Sequence, residues 1–226
     1  MVRRVNIAID GPAGSGKSTV ARTVAKKLGF LYVDTGAMYR AVTLKAIQEG
    51  IDCNDYDALT DLARRSRIDQ EAGHNGALRV MLDNMDVTQA IRAQEVNHNV
   101  SLVARVPGVR KHLAALQQAM AANGGVVMEG RDIGTAVLPQ AEFKFFLTAS
   151  PEERARRRLN DLLEKGYNLK QQQVIKEIME RDRIDSERAT DPLKPAEGAK
   201  VIDSSLLSID QVVNLITDAV SGEGTG

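Results

Sequence analysis

Gly11, Gly16, Lys17 and Ser18 stand at the spacing G-x-x-x-x-G-K-[ST], within the run Gly11, Pro12, Ala13, Gly14, Ser15, Gly16, Lys17, Ser18 and Thr19. Glycines let a backbone curl until several N–H groups point at one anion. Lys17 is then placed to reach the β- and γ-phosphates of a nucleotide, and Ser18 to offer its hydroxyl to Mg²⁺. A helix beginning near Lys17 would turn its positive end toward the same ligand. The flanks agree: apolar Val5, Ile7 and Ile9 precede the run, and Val20-Ala21-Arg22-Thr23-Val24-Ala25 follows it. Strand, glycine loop and helix in this order imply a bound nucleoside triphosphate.

Such a loop serves motors, switches, transporters and kinases alike, so the remaining charged residues must decide among them. Val126-Val127-Met128-Glu129-Gly130-Arg131-Asp132 puts a carboxylate, a glycine and an Arg-Asp pair at the carboxyl end of an apolar strand. Ligands bind at that edge in open α/β sheets. Glu129 could orient Mg²⁺ directly or through water. Arg131 could fork onto a phosphate, and Asp132 could accept from an exocyclic amine; a surface ion pair is the plainer alternative. Asp34-Thr35-Gly36-Ala37-Met38-Tyr39-Arg40 opens a helix, with Thr35 placed to cap it and Arg40 suited to a second phosphate. Arg154, Arg156, Arg157 and Arg158 lie within about one and a half helical turns. They read either as a solvated face or as cations for phosphoryl transfer. Arg181, Asp185 and Arg188 fall at i, i+4 and i+7, on one helical face.

The elements that must position these residues alternate. Strand patterns at Val5–Ile9, Phe30–Val33, Val126–Met128, Phe143–Leu147 and Ala199–Ile202 are separated by helical ones. Helices are predicted over Ser18–Lys27, Ala37–Glu49, Asp55–Arg65, Gln94–Val103, Pro107–Ala122, Pro151–Lys165, Leu169–Arg188 and Ile209–Val220. That alternation argues for an α/β fold with a parallel sheet. Residues 67–88 break the rhythm, with turn signals at Asn75-Gly76 and Asp83-Asn84 and with Leu78, Val80 and Leu82 on one face. They read as a small antiparallel insert, with a long surface loop as the alternative. The tail from Ser221 is expected to fray.

Composition narrows the partners. Thirty Lys plus Arg balance 30 Asp plus Glu over 226 residues, so no global field favours nucleic acid or an anionic membrane. The single cysteine, Cys53, cannot form an intramolecular disulfide, and no Cys/His group has zinc-ligand spacing. No apolar run approaches the roughly 18 residues of a membrane span. A soluble, cytoplasmic, monomeric protein without nucleic-acid or membrane partners is the expectation.

Read together, the motifs resemble the bacterial cytidylate kinases, nucleoside monophosphate kinases of the P-loop group. The resemblance rests on Ile-Asp-Gly-Pro-Ala-Gly-Ser-Gly-Lys-Ser-Thr, Asp-Thr-Gly-Ala-Met-Tyr-Arg, Ile-Arg-Ala-Gln-Glu-Val, Glu-Gly-Arg-Asp-Ile-Gly-Thr and Arg-Asp-Arg-Ile-Asp-Ser-Glu-Arg, in order over nearly the whole chain. It implies a three-layer P-loop NTPase fold with a five-stranded parallel sheet, an antiparallel monophosphate-binding insert and a short helical lid. In one domain, the core would take residues 1–63, 99–150 and 189–220, the insert 64–98 and the lid 151–168. It implies ATP, Mg²⁺ and CMP or dCMP as ligands, and direct phosphoryl transfer as the reaction.

By motif position, Ser101, Arg110 and Asp132 would contact the cytosine, and Arg181 and Asp185 the ribose. Arg40, Arg131 and Arg188 would clamp the acceptor phosphate, with Thr35 and Tyr39 beside them. Ser101 and Arg110 are carried by spacing from Ile91-Arg92 and Pro107. Lys17, Arg131, Arg157 and Arg188 are the expected catalytic cations, with Arg157 first among the lid arginines and Arg154 and Arg158 behind it. Ser18 would hold Mg²⁺ directly and Glu129 through water. Another P-loop kinase, acting on UMP or a non-nucleotide acceptor, is the nearest alternative. A switch or motor ATPase is the more distant one; the Asn-Lys-x-Asp and Leu-Ser-Gly-Gly-Gln signatures of two such classes are absent.

Overall fold

The computed structural model describes residues 4–73, 77–164 and 170–222. In chain order the elements begin β1 (Asn6–Asp10), α1 (Lys17–Leu28), β2 (Leu31–Asp34), α2 (Thr35–Gln48) and α3 (Tyr56–Arg65). They continue β3 (Ile68–Ala72), β4 (Leu78–Leu82), β5 (Met85–Asp86), α4 (Gln94–Val103) and α5 (Pro107–Ala121). Last come β6 (Val126–Gly130), β7 (Phe143–Thr148), α6 (Pro151–Glu164), α7 (Gln171–Glu187), β8 (Lys200–Asp203) and α8 (Ile209–Gly222). The chain forms two compact units, Met1–Tyr32 with Asn123–Gly226, and Val33–Ala122. The Asn75-Gly76 turn, residues 165–168 of the expected lid, Leu169 at the expected start of the next helix, and the tail beyond Gly222 lie outside the described residues. Ser221 and Gly222 end α8.

The first unit is built on the five-stranded parallel sheet that the alternation predicts, in the order β2-β6-β1-β7-β8. β1 pairs with β6 from Asn6↔Val126 to Asp10↔Gly130, and with β7 from Ile7↔Phe143 to Asp10↔Phe146. Strands covered on both faces read as continuous apolar runs, and every residue of β6 is buried. Ile7, Ile9, Val127, Phe145 and Leu147 pack with Val20 and Val24 of α1 and Val213 and Ile216 of α8. Each such side chain contributes about 1.5–3 kcal/mol by leaving water. α1 ends at Gly29, whose left-handed backbone lets its N–H close on the Ala25 carbonyl. α6 and α7 share a smaller core of Ala155, Val174 and Ile178. The π-helical turn at Ile133–Val137 that follows β6 has no signature in the apolar pattern.

The second unit carries the antiparallel sheet, in the order β3-β4-β5. β3 and β4 register from Ile68↔Leu82 to Ala72↔Leu78. Asp83 (φ 49°) and Asn84 (φ 67°) turn the chain from β4 to β5 in the left-handed conformations that two-residue hairpins require. Of the apolar face read from the sequence, Val80 and Leu82 are buried and Leu78 is half-buried. They join a core with Met38, Leu59, Leu62, Ile91 and Leu113. The two-residue β5 carries no apolar alternation, which is why the pattern did not reveal it.

Candidate active site

β1 feeds directly into the phosphate loop. Gly11 has φ 147°, and a Cβ there would fall 2.0 Å from the Leu147 carbonyl oxygen of β7. No other residue fits that approach. Gly16 (φ 91°) turns the chain into α1, whose start has no side-chain cap and no acidic residue in its first turn. Its N–H groups and dipole are therefore left for an external anion. Ser18 and Thr19 are exposed there. They line a cavity of about 630 Å³ together with residues from Ala13 to Val20, Glu153, Arg156, Arg157, Arg158, Arg181 and Ser204. Its size and cationic wall suit a nucleotide.

Lys17 is buried and donates from Nζ to the Pro12 carbonyl at 2.7 Å. Burial pushes its ammonium far below the usual value, to about 7; Arg131 and Arg181 push the same way, while Glu129 and Asp10 oppose them. Lys17 thus feels the charges of all four groups. Asp10 accepts from the backbone N–H groups of Ile133 and Gly134, both at 2.8 Å. Burial raises its carboxyl to about 6 against those two hydrogen bonds. Asp10 was missed in the sequence, although a charged residue closing a buried strand was the available signal.

The segment after β6 meets α7 and the residue beyond it: Arg188, expected on the helical face of Arg181 and Asp185, instead follows the last helical residue, Glu187, in extended backbone. Arg131 Nε lies 2.8 Å from Asp185 Oδ2, and Arg188 Nη2 lies 3.1 Å from Asp132 Oδ1. Burial works against the Asp185 carboxylate, yet Arg131 and Arg181 hold it below its ordinary pKa. Glu129 is buried and accepts from the Tyr32 hydroxyl at 2.5 Å. Arg131, Asp132, Arg181, Asp185 and Arg188, scattered over 58 positions of sequence, thus belong to one array within this unit.

The basic stretch of α6 divides by role. Arg154 is buried and donates to the carbonyls of Ala149 (3.0 Å) and Ala13 (3.1 Å). Arg156 is solvent-facing and pairs with Glu153. Arg157 also pairs with Glu153 and donates to the Ser204 hydroxyl and carbonyl at 3.1 and 2.6 Å, forming part of the cavity wall. Arg158 lines the cavity and makes no ion pair among the described residues.

In the second unit, Asp34, and not Thr35, caps α2: its Oδ1 accepts from the Ala37 N–H at 2.8 Å, while Thr35 is already helical and buried. The second Asp34 oxygen holds Arg40 Nη2 at 2.9 Å, and Arg40 Nε is buried without a hydrogen-bond partner among the described residues. Gln70 of β3 accepts from the Asp34 N–H and donates to its carbonyl, a link the sequence did not signal. Arg110 is buried, with its guanidinium 5.9 Å from the Tyr39 ring centroid and a 3.3 Å hydrogen bond to the Ala104 carbonyl. Ser101 is buried on α4.

A family model described as Cytidylate kinase matches residues 7–222. A protein named Cytidylate kinase from Pelotomaculum thermopropionicum is 59% identical over 216 residues, covering 96% of this chain and 96% of that protein. Its namesake from Bacillus subtilis is 47% identical over 220 residues, covering 97% and 98%. Among solved structures, an uncharacterized protein from Eubacterium ventriosum superposes with TM-score 0.53 at 10% identity, covering 96% of this chain and 98% of that one. At that identity the likeness concerns the fold alone.

Proposed function

This chain belongs to the cytidylate kinase family and so phosphorylates CMP and dCMP with ATP; we propose that its charged residues divide that work between donor and acceptor. The phosphate-loop amides, Lys17, Ser18 and Thr19 hold the donor phosphates, with Arg157 at the cavity wall. Arg40, Arg131 and Arg188 align the acceptor phosphate, and Thr35 and Tyr39 support that end. Arg181 and Asp185 take the ribose. Ser101, Arg110 and Asp132 read the cytosine. Residues 64–98 serve as the monophosphate-binding insert and 151–168 as the lid, of which 165–168 lie outside the described residues. Gln70 supports the first assignment, because it ties β3 to the cap beside Arg40.

The acceptor phosphate is already an anionic nucleophile near neutral pH, so no side chain has to deprotonate it. Catalysis then consists of positioning and of cations placed where charge spreads during transfer. One observation carries the reading: Arg181 lines the cavity beside the phosphate loop, and on the same helix Asp185 holds Arg131 at 2.8 Å, so cations of both sides are gathered at one place. Donor and acceptor phosphates brought to such a cluster would have their mutual repulsion offset.

The donor set also suits Mg²⁺. Among the described residues no three His, Cys, Asp or Glu side chains form a metal cage. Mg²⁺ is commonly held by one or two protein oxygens plus substrate phosphates and water. The Ser18 hydroxyl would hold it directly and the Glu129 carboxylate through water, and it would supply positive charge against the donor phosphates.

The test is ADP release measured side by side with CMP, dCMP, UMP, AMP and GMP. CMP and dCMP should support turnover well above the others. Equal or better turnover with UMP would move the chain to another acceptor class.

A further inference from the structure

We propose that the ion pair between Arg154 and Asp182 is a positioning device that couples occupancy of the phosphate loop to the acceptor-side residues of α7. The proposal rests on the reading above, with the triphosphate on the loop and the monophosphate against α7. Arg154 Nη1 lies 2.6 Å from Asp182 Oδ2, with the two side chains 6% and 22% exposed. The same Nη1 donates to the Ala13 carbonyl, inside the loop, and Nε donates to the Ala149 carbonyl just after β7. One guanidinium therefore joins the donor loop, the end of a central strand and the acceptor helix.

The arrangement leaves little slack. A Cβ on Gly14 would come within 3.1 Å of both the Arg154 Cβ and its carbonyl oxygen, so loop and helix are already in close contact. The adjacent Ala155 packs with Val174 and Ile178, which ties α6 to α7 through apolar contact as well. Asp182 stands between Arg181 and Asp185, and Asp185 holds Arg131 at 2.8 Å. Its Oδ1 is buried without a hydrogen-bond partner among the described residues. The carboxylate is thus held through the oxygen that faces Arg154, and the position of one partner depends on the other.

Arg154 does not act on the phosphates itself. Residues 156, 157 and 158 reach the cavity beside the loop, and Arg154 is not among the residues lining it. A triphosphate that settles the Ala13–Gly14 backbone fixes Arg154. Arg154 fixes Asp182, and with it the turn of α7 that presents Arg181 and Asp185. By linkage the effect is reciprocal: CMP bound against α7 must favour the donor-binding form of the loop equally.

The experiment is calorimetric titration of CMP with and without a saturating, non-transferable β,γ-imido analogue of ATP. It is run on the parent protein and on Asp182→Asn, Arg154→Met and the double variant, with thermal melts alongside. In the parent the analogue should change CMP affinity by at least about fivefold, and CMP should change analogue affinity by the same factor. In each single variant that factor should fall to within about twofold of one, and the double variant should add no further loss. Asp182→Asn keeps the size and one acceptor oxygen, so it serves if Arg154→Met does not fold. A role confined to stability would lower the melting temperature and leave the coupling factor intact; that result overturns the proposal. So does a parent that binds both ligands independently. A parent that binds no CMP at all overturns the substrate reading, and this inference with it.

Discussion

Arg188 and Asp132 form a nearly buried ion pair, 3.1 Å from Nη2 to Oδ1, with side chains 4% and 7% exposed. Arg188 Nε is also held by the Asp191 carbonyl at 2.7 Å. The residue assigned to the base and one assigned to the acceptor phosphate therefore steady each other. Asp132→Ala should then do two things at once. CMP should lose more kcat/KM than UMP, because a carboxylate prefers the cytosine N4 amine to the uracil carbonyl. The CMP KM should also rise, because a buried guanidinium loses its partner. Sites that read a buried hydrogen bond discriminate by as much as ~10⁴–10⁵, so movement of the CMP-to-UMP ratio toward one is easily seen. An unchanged ratio in a folded variant would leave base reading to Ser101 and Arg110.

Arg131→Ala should raise the KM for CMP and lower kcat while changing the KM for ATP much less. Its guanidinium is held by Asp185 on the acceptor helix, so its loss damages acceptor binding and alignment together. Steady-state kinetics with each substrate varied in turn make the check. An effect confined to ATP would place Arg131 on the donor side.

Much of the fold was legible because its strands and helices are signalled locally. The loop from Gly11 to Thr19, the Asp83-Asn84 turn and the α4 boundaries all follow from residues within a few positions of one another. What escaped depends on partners distant in sequence. Asp10 meets Ile133 and Gly134, Tyr32 meets Glu129, and Arg154 meets Asp182, contacts that no helical or strand period encodes. Threonine is a good capping residue, which makes Thr35 the apparent cap of α2; aspartate is as good, and Asp34 stands one place earlier with extended backbone. Motif order assigned Arg131, Asp132, Arg181, Asp185 and Arg188 to one acceptor, but who pairs with whom came only from three dimensions.

Lys17 gives a prediction in pH. Its folded pKa lies near 7 against an ordinary 10.5, so between those values the unfolded chain carries the extra proton and stability rises with pH. Asp10 has the opposite sign: with about 6 folded against 3.8, it makes stability fall as pH rises from about 4 to 6. Melting temperatures of the ligand-free protein should therefore show a rising component from pH 7 to 9 that Lys17→Met removes. The same variant should lose on the order of 10²–10³ in turnover with any acceptor, as expected for a displaced electrostatic donor. A parent and variant with parallel melting profiles would contradict the assignment.

Gly11→Ala should be costly although it adds one methyl group. The new Cβ would collide with the Leu147 carbonyl, and φ 147° disfavours any side chain. Strain of this kind is worth on the order of 1–3 kcal/mol, read as a lower urea midpoint with unchanged slope. ATP binding should weaken too, because the loop has to move away from β7. Wild-type stability and nucleotide affinity would mean that the loop does not need this approach.

Transfer from ATP to the cytidine monophosphates is decided by where the γ-phosphate goes. Purified protein is mixed with γ-³²P-labelled ATP, Mg²⁺ and either CMP, dCMP or no acceptor, and the label is followed by chromatography. Label should appear in CDP or dCDP in proportion to the ADP formed, with little ADP when the acceptor is omitted. Label released as inorganic phosphate at the same rate with or without CMP would contradict it.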